Sequence, residues 1–557
     1  MTGGQLQLNS YKGNKSFLNR GAPLTSFFKK VYYQYNNYAK ILYSNDIKQV
    51  VNNTRQNFST NSNYKLKIPK NGDLIKEFYI QVKLPEINYD PSVFYNIKWI
   101  KDIQFKLIKS LTFKIGGQTI QQFDSEILYF YYTLLLKKEH KKLLNYVSNQ
   151  NYIDSVNLSK GYLSEMTLTI PIPVWFSDIP FPIVCLEYMD LEIELELNSI
   201  YDLLLVRDYN LRSFQSVSNI IKINTAPWRK LEINEHETKN LLTKKFKLYP
   251  EAKINYIFLE NKELINYFTY ENKFLIEIYR KTHLRDIKSA RTYSDKTKIL
   301  KYDYETIGCS RDLIIAIRQK SNSANFNQHF NFTNLDNIES PDYNLLQNFL
   351  LKTAINQYNA SGGETYNLLD YLEDFVIDEK NTNKDISGIK FPVLYTNVAE
   401  YPNAGSYSNI GINYNQAFRS KDILAIREQW NFRHIDISNN TIPIIDNNFK
   451  KDIIDELQVK FNNIERIEFK DKSYFQELEF FKNYPSSNNN SIYVINFSLF
   501  PDKKKPSGQC NFSHIQKVRI DFKLNLKSDE DYELILYNRY YNILELSAGS
   551  AKLIYFK

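Results

Sequence analysis

The sequence predicts an all-β chain folded as two tandem β-sandwiches, and three observations predict it. Strand-type alternation recurs along the chain. One order of hairpin, helix and charged strand is written twice. The 43 Tyr and 36 Phe among 557 residues favour pleated, half-buried surfaces. The length itself exceeds what one ordinary core serves, so more than one domain is expected.

In chain order, "KEFYIQVKL" (Lys76–Leu84) puts Phe78, Ile80, Val82 and Leu84 on one face of a strand. "LTFKIGGQTIQQF" (Leu111–Phe123) is two strand runs around Gly116-Gly117, a pair that can take positive φ at both centres of a tight hairpin. The aromatic-rich "SEILYFYYTLLLKKEHKKLL" (Ser125–Leu144) reads as helix, and "MDLEIELEL" (Met189–Leu197) as a strand alternating apolar residues with acids. The second half repeats this plan. "LQVKFNNIERIEF" (Leu457–Phe469) turns at Asn462-Asn463, asparagine being the next residue most tolerant of positive φ. Leu111, Lys114 and Phe123 fall on Leu457, Lys460 and Phe469 at one common offset. "SYFQELEFF" (Ser473–Phe481) follows as helix, and Val518, Ile520, Phe522, Leu524 and Leu526 alternate with polar residues in the strand that closes the half.

Many strands with long connections and no short repeat fit two eight-stranded jelly rolls with long loop insertions and a few short helices, rather than a propeller. The divisions expected are an N-terminal arm over 1–24, a first jelly roll over 25–226 and a second over 227–557. The joint lies near "NTAPWRKLEI" (Asn224–Ile233). Residues 321–430, rich in Asn, Ser and Tyr, are read as insertions in the second jelly roll, with one short helix at "NLLDYLEDF" (Asn367–Phe375). Ahead of the closing strand, "PSGQCNFS" (Pro506–Ser513) is expected as a structural turn with Cys510 a buried free thiol and Phe512 anchored in the core. Pro506 fixes φ there, Gly508 supplies freedom, and Ser507 or Asn511 bonds nearby backbone.

Composition narrows the function. With 43% hydrophobic and 24% charged residues the chain is globular, and its formal charge of +9 is modest for the length. The basic runs Leu136–Lys142 and Asp502–Pro506 are short and form no continuous stripe, so no direct nucleic-acid binding is expected. Three distant cysteines give neither zinc spacing nor a disulfide framework and suit a reducing compartment. The N-terminus lacks the apolar core of a signal peptide, and the longest apolar run, Ile127–Leu136, falls short of the ~20 residues of a membrane helix. A soluble protein, not secreted by the usual signal, is expected.

Catalytic motifs are missing. The histidines at 140, 236, 283, 329, 434 and 514 form no H-x-H pair or zincin helix, which speaks against a jelly-roll metal centre. "YKGNKS" (Tyr11–Ser16) lacks the second glycine and spacing of a phosphate loop, and there is no G-x-S-x-G elbow. The acids of Met189–Leu197 read as the wet face of a strand. His514 alone near Cys510 makes no metal site. No catalytic, cofactor-binding or metal-ligating residue is assigned, and no cofactor is expected.

The chain resembles the double jelly-roll major capsid proteins of nucleocytoplasmic large DNA viruses over nearly its whole length. "GGQLQLNSYKGNKSFL" and "LTSFFKKVYYQYNNYA" (Gly3–Leu18, Leu24–Ala39) are similar to that family's N-terminal segments. "IPKNGDLIKEFYIQVKLP" (Ile68–Pro85) resembles its Asn-Gly-Asp-Leu turn and strand, "LIKSLTFKIGGQTI" (Leu107–Ile120) its Ile-Gly-Gly-Gln hairpin, and "IPVWFSDIPFPIVCLEY" (Ile172–Tyr188) its Trp-Phe loop. In the second half "CSRDLIIAIRQ" (Cys309–Gln319), "KSYFQELEFF" (Lys472–Phe481) and, most specifically, "PSGQCNFSHI" (Pro506–Ile515) resemble family segments in the same order. The ending "SAGSAKLIYFK" (Ser547–Lys557) departs from the family's Gly-rich one.

The resemblance implies a non-enzymatic subunit that trimerises into pseudo-hexagonal capsomers and tiles an icosahedral shell, with the N-terminal arm on the inner side. The partners it implies are two further copies, neighbouring capsomers, penton and minor capsid proteins, with an internal viral membrane nearby. The location is the virion, assembled in the cytoplasm of the infected cell. The alternatives are a divergent paralogue acting as a minor capsid or scaffold protein, and a carbohydrate-active β-sandwich protein.

Overall fold

The computed structural model describes residues 38–50, 62–89, 94–147, 162–177, 179–208, 229–231, 248–269, 272–282, 285–288, 297–304, 308–334, 434–436, 441–443, 452–485, 491–503, 506–527 and 530–555. The expected arm over 1–24 and the helix at Asn367–Phe375 lie outside them.

Among the described residues, sixteen main strands build two sandwiches of one plan, with short strands added at the margins of their sheets. The first eight are β1 (Tyr38–Asp46), β2 (Ser62–Lys67), β3 (Leu74–Leu84), β4 (Ile108–Ile115), β5 (Gln118–Asp124), β6 (Met166–Pro171), β7 (Leu191–Leu197) and β8 (Pro250–Leu259). They form the sheets β1-β8-β3-β6 and β2-β7-β4-β5, the latter extended past β2 by Lys48–Gln49. The second eight are β9 (Asn272–Lys281), β10 (Thr297–Tyr304), β11 (Cys309–Gln319), β12 (Ile454–Phe461), β13 (Ile464–Asp471), β14 (Tyr493–Asn496), β15 (Val518–Asn525) and β16 (Tyr532–Ser547). Their sheets are β9-β16-β11-β14 and β10-β15-β12-β13. The two orders are identical when eight is added to each label, and each is a jelly roll.

The paired hairpins are equivalent in detail. Gly116 and Gly117 have φ of 55° and 83°, and Asn462 and Asn463 of 50° and 66°, so both turns place two residues in the left-handed region. Each turn is tied to the residue just before the same strand of its sandwich. Gly116 donates its N–H to Asp190 O ahead of β7, and Asn462 donates to Lys517 O ahead of β15. A Cβ at Gly117 would meet no atom within 4 Å, so Gly117→Val should lose only backbone energy, about 1–2 kcal/mol, read as a shift in the urea midpoint.

Two expectations need correction. The charge-alternating strands β7 and β15 do not close their halves; β8 and β16 follow and sit at the centre of the facing sheets. Both are covered on two faces over much of their length, so they lack the period-2 signature that exposes a strand in sequence. Because β8 pairs with β1 and β3, the first jelly roll runs to Leu259, past the expected joint at Asn224–Ile233. The second correction concerns 321–430. Its start is ordered as a helix, Lys320–Phe326, and a strap, 327–334, which Thr333 ends by bridging to Asp452.

The expected helix after the first hairpin is two helices: α1 (Ser125–Leu135), capped by Asp124, and a second at Lys138–Val147. After the second hairpin, Tyr474–Leu478 forms a π-helical turn that runs into α2 (Glu479–Asn483). One apolar core fills the second sandwich; a larger one fills the first and continues into the seam between them.

Candidate functional site

Three places carry concentrated chemistry: the acidic strand β7, the loop ahead of β15, and the seam between the halves. On β7 each carboxylate faces its own lysine. Glu192 meets Lys65 at 2.9 Å, Glu194 meets Lys114 at 2.5 Å and Glu196 meets Lys109 at 2.8 Å, the lysines standing on β2 and β4. Each of these acids is thus held by its own lysine, and the strand's wet face is a charge ladder.

The loop "PSGQCNFS" is both turn and strand. Cys510–Asn511 adds to β11, Cys510 opposite Ser310 and Asn511 opposite Cys309. Asn511 Oδ1 accepts from the Ser513 N–H at 3.1 Å and from its hydroxyl at 2.6 Å, while Ser507 Oγ accepts from the Phe500 N–H at 2.8 Å. Gly508 has φ of 131°, and a Cβ there would stand 3.3 Å from Phe497 O. Phe512 is fully buried and meets the rings of Phe497, Tyr304 and Phe461 edge-on at 5.4, 5.9 and 6.0 Å. All three cysteines are free and buried. Burial drives the Cys510 thiol far above its ordinary range, and burial and then Glu187 raise Cys185 to about 11, so neither is a thiolate at neutral pH.

Behind that loop lies a buried ionic cluster that the sequence reading does not identify. Arg539 on β16 grips Asp312 on β11 through Nε at 3.0 and 3.1 Å and again through Nη2. Both side chains are 2% exposed or less. A β-bulge between Ser310 and Asp312 lets neighbouring Arg311 reach Glu277 on β9 and the carbonyls of Pro501 and Lys503. The cluster thus ties three strands of one sheet to the stretch leading into "PSGQCNFS".

The seam is where the halves meet. The first half presents β5 and α1; the second receives them on the outer face of β9-β16-β11-β14. Tyr129 stacks on Phe330 of the strap at 4.3 Å, Phe130 meets Tyr537 at 5.8 Å and Phe123 meets Tyr279 at 5.8 Å. Asn327 donates to the carbonyls of Tyr201 and Leu204, both at 2.9 Å, so the strap is bonded to the first half as well. Among these rings sits a charge cluster. Arg318 bonds Glu126 at 3.2 Å and Glu533 at 2.7 Å, Lys281 reaches Glu126 at 3.3 Å, and the Tyr537 hydroxyl donates to Asp124. Burial alone would raise the Glu126 carboxyl, but Arg318, then Lys281 and Lys106, hold it at about 2. Burial, with Lys106 and Arg318 nearby, keeps the His329 imidazole far below its ordinary range and therefore neutral.

This arrangement joins parts; it does not poise reactive ones. Among the described residues each carboxylate of this cluster faces a cation or a hydroxyl donor, and burial keeps the Cys185 and Cys510 thiols protonated. Among the described residues no group of three or more His, Cys, Asp or Glu could hold a metal ion.

Comparison with known proteins places the chain. A family model described as "Major capsid protein N-terminus" matches residues 26–260, and one described as "Large eukaryotic DNA virus major capsid protein" matches 401–552. The first match ends within a residue of β8, as the strand pairing does. The chain is 21% identical to the major capsid protein of Phaeocystis pouchetii virus over 100% of both chains. It is 20% identical to a probable capsid protein 4 of Acanthamoeba polyphaga mimivirus over 98% of each. Its fold is similar to a quasi-atomic structure of the PBCV-1 virus capsid, with a TM-score of 0.56, 16% identity and coverage of 96% of this chain and 100% of that one.

Proposed function

The chain belongs to the large eukaryotic DNA virus major capsid protein family, and from that premise we propose that it is a shell subunit whose work is assembly rather than catalysis. It self-associates as a homotrimer, and three chains of two sandwiches each make a near-hexagonal block. Such blocks tile flat facets of an icosahedral virion shell, in contact with one another, with penton and minor capsid proteins, and with any membrane beneath. Assembly takes place in the infected cell, in the cytoplasm.

The observation that carries this reading is the duplication itself. Two sandwiches of one strand order are fixed to each other by a seam of stacked rings and buried ion pairs, so each chain is a rigid pair of like blocks. Rigid pairs suit a pseudo-symmetric tile. Native mass spectrometry of the purified chain should give a species of three times the 66.0 kDa protomer. A monomer at every concentration would count against it.

The likeness to a probable capsid protein 4, a numbered capsid protein of one virus, keeps a second reading open: a minor capsid or scaffold paralogue built on the same fold. Copy number in particles separates the two.

A further inference from the structure

One end of the chain gathers exposed apolar side chains on braced backbone. In the first half the connection from β6 to β7 folds back on the start of β3, where Phe181 bridges to Ile75. In the second half the connection from β14 to β15 folds back on the start of β11, where Cys510 stands opposite Ser310. The two connections lie at the same end. β16 passes the start of β11 at Tyr541 and runs on to Gly549, whose carbonyl accepts from the Tyr188 N–H just ahead of β7. The helix Asn261–Thr269, which follows β8, is there too, since its Tyr267 carbonyl accepts from the Cys185 thiol at 3.6 Å.

At this end Tyr188 is 79% exposed, Leu499 73%, Ile265 59%, Phe500 52% and Phe268 50%. Ile265 and Phe268 are three residues apart and share one face of their helix. Leu499 and Phe500 stand on a fixed tip. The Leu499 N–H donates to Ser507 O at 3.2 Å, the Phe500 N–H to Ser507 Oγ at 2.8 Å, and the Lys503 N–H to Phe500 O at 3.2 Å. From beneath, the buried Arg311 and Arg539 hold the Pro501 carbonyl, and Arg311 also holds that of Lys503. A buried ionic cluster therefore braces a tip that keeps a leucine and a phenylalanine in water, an arrangement that marks a contact surface. Lys503 Nζ lies 4.6 Å from the centre of the Phe500 ring and opens the sequence run Lys503-Lys504-Lys505.

Three separate segments, each offering one or two apolar side chains, suit a soft continuous surface better than a shaped pocket. Aliphatic and aromatic side chains at the acyl boundary, with lysine at the headgroups, are the chemistry of interfacial lipid binding. We propose that this end of the chain docks on an anionic lipid bilayer. Leu499, Phe500 and the Ile265–Phe268 helix face enter the headgroup boundary, and Lys503 meets the anionic headgroups. That this end then faces a membrane beneath the shell rests on the reading above.

Flotation of the full chain with lipid vesicles tests the docking. Wild type should float with phosphatidylcholine vesicles carrying about 30% phosphatidylserine, and much less with phosphatidylcholine alone. Leu499→Ser/Phe500→Ser, at exposed positions, should keep its circular dichroism and oligomeric state and lose about tenfold or more in apparent lipid affinity. Lys503→Glu should weaken binding to the anionic vesicles only. Ile299→Asp, exposed on β10 opposite Lys523 and so away from this end, should float like wild type. A folded, trimeric wild type that stays with the soluble fraction at every lipid concentration overturns the lipid surface and leaves the shell reading standing. Flotation that Leu499→Ser/Phe500→Ser leaves unchanged overturns it as well. A wild type that floats as expected but never trimerises upholds the lipid surface and overturns the shell reading.

Discussion

Replacing Arg539 with alanine should destabilise the second jelly roll by about 3–5 kcal/mol, because it leaves the Asp312 carboxylate buried without its cation. Asp312 is fully buried, and after the change it keeps a long hydrogen bond from the Tyr484 hydroxyl, at 3.4 Å. The same change removes one of the two guanidinium donors to the Pro501 carbonyl, Arg539 Nη2 at 3.1 Å, and leaves Arg311 Nη2 alone to hold the stretch leading into "PSGQCNFS". Buried pairs owe much of that loss to the orphaned partner, not to net attraction. The double variant Arg539→Met/Asp312→Leu should therefore be more stable than Arg539→Ala alone. Urea unfolding followed by tyrosine fluorescence measures all three. An Arg539→Ala chain within ~1 kcal/mol of wild type would mean that water reaches Asp312, as at a surface pair.

Phe512→Ala should cost the same half roughly 3–5 kcal/mol, the range for deleting a ring from a packed core. Three aromatic rings surround Phe512 and none has another route to fill the space, since each belongs to a different segment: Tyr304 ends β10, Phe461 ends β12 and Phe497 follows β14. Cys510 beside it should resist alkylation in the folded protein and react once the core opens, so maleimide labelling reports the same event independently. Rapid labelling of Cys510 in the native chain would show that this end of the sandwich is not closed.

What the sequence made legible was local. The strand β3, the two left-handed hairpin turns, the acidic face of β7 and the burial of Phe512 all follow from alternation, turn chemistry or a short motif. β8 and β16 escaped because strands covered on both faces show no alternation. The charge clusters escaped for a different reason. Arg539 and Asp312 are 227 residues apart, and Arg318 and Glu126 192, so no window of sequence holds both partners. Only the jelly-roll strand order, which sets β16 beside β11, and the docking of α1 on that sheet bring them together. The strap after β11 was hidden likewise, since Phe330 and Phe332 look like loop aromatics until Tyr129 and Phe130 are placed opposite them.

The central claim is that this chain is the principal building block of a virion shell. Quantitative mass spectrometry of purified particles tests it most directly, by counting copies of each protein. The account predicts that this chain outnumbers every other shell protein by a wide margin. A chain absent from the particles, or present at a few copies beside a far more abundant relative of the same fold, would contradict it.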